Sequence, residues 1–147
     1  MILYKTDERI LDDRLYVIAG ECALTRNGLT TGNPQYLNVF TKYKQFHNKD
    51  LGAARFIYNP KEDNVTDYVT PLPNNKNILL PTKERAIVES IIHIDGCDEG
   101  VLLEAINTYL AYFGTKEELI PVANCFNLSI EQLEYWIQEA KEYASEN

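Results

Sequence analysis

Three cysteines and two histidines are the whole soft-ligand and imidazole inventory of this 147-residue chain. Cys22, Cys97 and Cys125 are odd in number and far apart. There is no C-x-x-C, and neither His47 nor His93 has a good second ligand beside it. His93 and Cys97 stand four residues apart, but Gly96 is expected to end the helix between them. A zinc site is therefore not expected, and free thiols suit a reducing cytoplasm. The paired acids do no better. Asp12-Asp13 and Glu62-Asp63 are immediate neighbours, and neighbours on a strand point to opposite faces, so they make poor carboxylate pairs. A metal-dependent nuclease would need its carboxylates at strand ends with a lysine downstream. Here Glu62 falls in an expected turn, and the nearest lysine, Lys61, precedes it. GxGxxG, P-loop, GxSxG and HExxH motifs are all missing from the sequence. The expectation is a non-enzymatic chain with no catalytic residues, no metal and no cofactor. A small metal-dependent nuclease is the least favoured alternative.

The elements that would position any such groups change character near residue 81. LYVIAG at 15–20 is an apolar run short enough for a strand, although it could equally begin a buried helical turn. ECALTRNG at 21–28 reads as a short helix stopped by Asn27-Gly28. YLNVFT (36–41), AARFIY (53–58), VTDYVT (65–70) and NILLP (77–81) carry strand-like composition, and NPKEDN suits a hairpin loop between the second and third of them. Residues 4–14 are strongly charged and fit a short helix or a loose arm.

From residue 82 the apolar spacing is helical. Thr82 caps a first helix with Ala86, Val88, Ile91 and Ile92 as apolar positions, and Asp95-Gly96 ends it. Asp98 caps a second, carrying Leu102, Ile106, Tyr109, Leu110 and Phe113 and closed by Gly114. Thr115 to Glu118 and Ser129 to Gln132 are capping boxes that open a third and a fourth. The last helix carries Ile130, Leu133, Trp136, Ile137 and Ala140 on one stripe. The predicted class is α+β: a small mixed or antiparallel sheet of about four strands over residues 15–81, followed by four helices over 82–145, in a single domain spanning 1–147.

Acids outnumber bases 22 to 14, a net charge of −8, and the excess is uneven. Residues 1–73 balance nine bases against nine acids, whereas residues 74–147 hold five bases and thirteen acids. Nonspecific nucleic-acid affinity comes mainly from Lys and Arg neutralising phosphates, so this balance disfavours DNA and RNA. It suits either plain solvation of helices or a surface that meets a basic protein partner. No apolar run approaches the roughly 20 residues that span a bilayer. MILYKTDER meets acids too early for a secretory signal, so a cytoplasmic location with no membrane partner is expected.

VANCFNLSIEQLEYW has helix-turn-helix spacing: Ala123 at the close approach, Asn127 at the turn, and Phe126, Leu128 and Leu133 at apolar positions. Its second helix would expose Glu131, Glu134, Glu139 and Glu142 against a single Lys141, the wrong sign for phosphates. The segment is read as a structural corner, and the four glutamates as a candidate acidic partner surface. Tyr109, Tyr112, Tyr135 and Tyr143 are expected to straddle core and solvent on these helices.

Three segments together resemble a family. LYVIAGECALTRNGLTTGNP (15–34) is similar to the segment that opens the antitoxin domain of AbiEi-type antitoxins, of the type IV toxin–antitoxin and abortive-infection family. PTKERAIVESI (81–91) resembles that family's Ser/Thr-Pro-Glu-Arg-Ala helix start, with Glu84, Arg85 and Ala86 in place and Lys83 where proline is usual. DEGVLLEAINTYL (98–110) resembles the helix that follows. The resemblance implies an α+β antitoxin domain that counteracts a nucleotidyltransferase-like toxin in bacterial phage defence or mobile-element maintenance. Family members usually carry an N-terminal winged helix, and only about 14 residues precede the match here. Autoregulation through operator DNA is therefore not expected of this chain. Glu84 is expected to favour the positive end of its helix. Arg85 is expected to bind strand-end carbonyls or a carboxylate such as Glu21. Both are read as structural anchors, with contact to the toxin as the alternative. A second function class, an acidic protein-binding adaptor unrelated to toxins, stays open beside the antitoxin.

Overall fold

The computed structural model describes residues 16–32, 37–41, 50–51, 54–58, 67–73 and 76–146. The charged segment at 4–14, His47, the Glu62-Asp63 pair and the NPKEDN loop lie outside the described residues. The strands are β1 (Tyr16–Ile18), β2 (Leu37–Thr41), β3 (Asp50–Leu51), β4 (Ala54–Tyr58), β5 (Val69–Pro71) and β6 (Ile78–Pro81). The helices are α1 (Gly20–Arg26), α2 (Lys83–Ile92), α3 (Glu99–Tyr112), α4 (Lys116–Cys125) and α5 (Ile130–Glu146), with a 3-10 turn at Ile94–Gly96 between α2 and α3. The class is α+β, with a mixed sheet and a helical C-terminal half.

The six strands lie in the order β3-β4-β2-β1-β6-β5. β1 is central, antiparallel to β2 and parallel to β6, and β2 runs parallel to β4. The expected hairpin between 53–58 and 65–70 does not form: β4 pairs with β2 and β3, and β5 pairs with β6 near the other edge. Parallel pairs need long crossovers, so a short turn-like segment between two strand-like runs carries no information about which strands meet. The 65–70 run is also shorter than expected, because Tyr68 adopts a left-handed φ of 57° and the strand begins only at Val69.

β1 settles the ambiguity of its apolar run as a strand buried on both faces. Tyr16 and Ile18, with Val39 and Ile78 beside them, face the helices. Val17 aligns with Phe40 and Leu79 on the opposite face, in a second cluster that also holds Ala19. A strand covered on both faces reads as a continuous run rather than an alternation.

The caps appear where the side chains predict them. The Thr82 hydroxyl accepts from the Arg85 amide and the Asp98 carboxylate from the Val101 amide. Thr115 and Ser129 accept from the amides of Glu118 and Gln132. In both boxes the distal side chain bonds the capping hydroxyl rather than the backbone N–H. α1 and α4 both end in Schellman turns. The Leu29 amide donates to the Leu24 carbonyl with Gly28 at φ 73°, and the Leu128 amide donates to the Ala123 carbonyl with Asn127 at φ 60°. At the end of α3 a Cβ on Gly114 would run into the Tyr109 ring and hydroxyl, so the close approach requires glycine.

Two expected core positions are outside it. Phe113 and Ile92 are exposed, because each falls at or just beyond the last turn of its helix, where the stripe has left the protein. Ile87 takes a place in the core that the predicted stripe left empty, since α2 is buried continuously from Arg85 to Ile91.

Candidate functional site

The three residues expected to anchor the fold, Glu21, Glu84 and Arg85, each make a bond to another element. Glu21, at the start of α1, accepts from the Asp98 backbone N–H at 3.3 Å, tying α1 to the cap of α3. Glu84, in the first turn of α2, accepts the Tyr109 hydroxyl proton at 2.7 Å, tying α2 to α3. Burial and this carboxylate together push the Tyr109 phenol above its ordinary range, so it stays a donor. Asn27, after α1, donates to the Pro81 carbonyl at 2.9 Å and to the Ala23 carbonyl at 2.9 Å, closing the link from α1 to the end of β6.

Arg85 is fully buried. Its Nε donates to Glu89 Oε1 at 2.8 Å and its Nη2 to Glu89 Oε2 at 3.4 Å, a forked pair one helical turn apart. Nη1 donates to the Asp67 carbonyl at 2.7 Å, just before β5, so the expected carbonyl contact near a strand end is present. The guanidinium also lies 4.7 Å from the centroid of the Phe126 ring at the end of α4. The carboxylate partner is therefore Glu89 and not Glu21, which is engaged at Asp98. The i,i+4 spacing of Arg85 and Glu89 on one helix face is the signal that identifies this pair from sequence. No local signal identifies the Asp67 and Phe126 contacts, which come from segments remote along the chain.

The thiols and imidazole do not assemble a reactive centre among the described residues. Burial, with the Glu21 carboxylate adding to it, pushes the Cys97 thiol up to about 12; the Ser90 hydroxyl beside it pulls the other way and Asp98 adds a small rise. A thiol held that high is protonated at neutral pH and is a poor nucleophile and ligand. Cys22 is buried, its sulfur facing the Asn38 amide at 3.5 Å. His93 caps the end of α2 and packs against Phe40 with the rings tilted at 46° and 4.7 Å between centroids; burial lowers its pKa. Among the described residues no group of three or more His, Cys, Asp or Glu is arranged to hold a metal ion. None of the described helices is long and apolar enough to cross a membrane.

The acidic set on α5 is arranged differently. Leu133, Ile137 and Ala140 are buried, which turns Glu131, Glu134 and Glu142 outward, with Glu139 half-buried at the margin. Glu131, Tyr135, Gln138 and Glu142 share one face at helical spacing, and Tyr135 is more than half exposed at 57%. The Glu139 carboxylate one turn along the helix raises the Tyr135 phenol's pKa. Lys116 reaches Glu134 at 2.9 Å across the α4–α5 corner. The outward face of this corner is thus acidic and aromatic, not basic. Compared with models of known protein families and with curated proteins, the chain finds no match.

Proposed function

We propose that this chain is a non-enzymatic antitoxin-like or regulatory protein of a type IV toxin–antitoxin or phage-defence system, acting in the cytoplasm against a nucleotidyltransferase-like toxin. The observation that carries the reading is how the three family-like segments meet. Asn27 of the first bonds Pro81 of the second, Glu21 of the first bonds Asp98 of the third, and Glu84 of the second bonds Tyr109 of the third. Glu21 and Glu84, which belong to the family-like motifs, are among the residues that join these segments. In this reading Glu21, Glu84 and Arg85 are anchors, and the working surface is the outward side of α5. Glu131, Glu134, Glu139 and Glu142 offer it to a basic partner, with Tyr135 as the aromatic contact.

Growth rescue tests the proposal. Co-expression with a nucleotidyltransferase-like protein from the neighbouring reading frame is expected to relieve its toxicity. Failure to rescue at good expression contradicts the antitoxin reading. The acidic α5 face also favours the adaptor reading. Recovery of a basic partner from outside any toxin locus, together with failed rescue, selects that one. Measured turnover on a nucleotide substrate contradicts both.

A further inference from the structure

We draw no further inference here: the strongest candidate, the exposed aromatic patch at the carboxyl end of α3 where the Lys83 ammonium lies 4.8 Å from the centroid of the Phe113 ring beside the 81% exposed Tyr112, carries nothing because nothing in the structure shows what covers it.

Discussion

Glutamates do opposite work in the two halves of the helical region. On α1 and α2 they point inward or between elements: Glu21 on an amide, Glu84 on a phenol, Glu89 buried against Arg85. On α5 Glu131, Glu134 and Glu142 point to water, and the Lys116–Glu134 ion pair lies at the surface. The difference shows that residue type alone does not locate a binding surface. A carboxylate whose lone pairs are taken by buried donors or by donors from another element holds the fold together. One that is solvated keeps its charge available to a partner, and costs little to change.

The sharpest break of this contrast is at Arg85. Arg85→Ala removes the guanidinium paired with the buried Glu89 carboxylate, and removing one member of a buried pair costs about 3–5 kcal/mol. Urea unfolding measures it, and Arg85→Lys, which keeps the charge but loses the fork, should fall between the two. An unchanged unfolding curve with lost partner binding would instead make Arg85 a contact residue. Next comes Tyr109→Phe, which deletes the hydroxyl bonded to Glu84. A hydrogen bond to a charged group contributes about 1.5–3 kcal/mol, and the same unfolding experiment should show a loss in that range. Thr82→Ala removes the cap of α2 and should cost about 1 kcal/mol, with Thr82→Ser restoring most of it.

A smaller effect depends on pH. His93 is held neutral in the fold by burial, with its pKa below the ordinary 6.5. Above 6.5 both folded and unfolded chains carry it uncharged, and its contribution is complete. As pH falls below 6.5 the unfolded chain takes up the proton first, so stability declines toward the folded-state value. Melting temperature followed from pH 8 to pH 5 should fall less for His93→Gln than for the parent chain. The smallest effect on stability is expected outside: Glu131→Lys with Glu142→Lys should move unfolding by about 0.5 kcal/mol or less. The same pair should weaken capture of a basic partner, because it reverses two charges on the α5 face.

Local chemistry in the sequence was readable, and non-local pairing was not. Thr82, Asp98, Thr115 and Ser129 announce their helices because a cap needs only its own next three residues. Asn127 announces the α4–α5 corner because few residues accept a left-handed φ. Strand order escaped because nothing within 53–70 says that β4 joins β2 and β5 joins β6. β3, two residues long, has no periodicity to detect. Among the described residues the sheet has six strands, where the strand-like runs suggest about four. The anchors were legible as residues but not as contacts: Arg85 stood out, while its place between Asp67, Glu89 and Phe126 required the fold.

In the proposed function the outer face of α5 binds the partner and the anchored interior only supports it. Growth rescue from a co-expressed nucleotidyltransferase-like toxin, compared between the parent chain and Glu131→Lys/Glu142→Lys at matched expression and melting temperature, tests this most directly. Rescue by the parent and loss of rescue in the folded variant are the expected results. Equal rescue by both, or none by the parent, would contradict the proposed function.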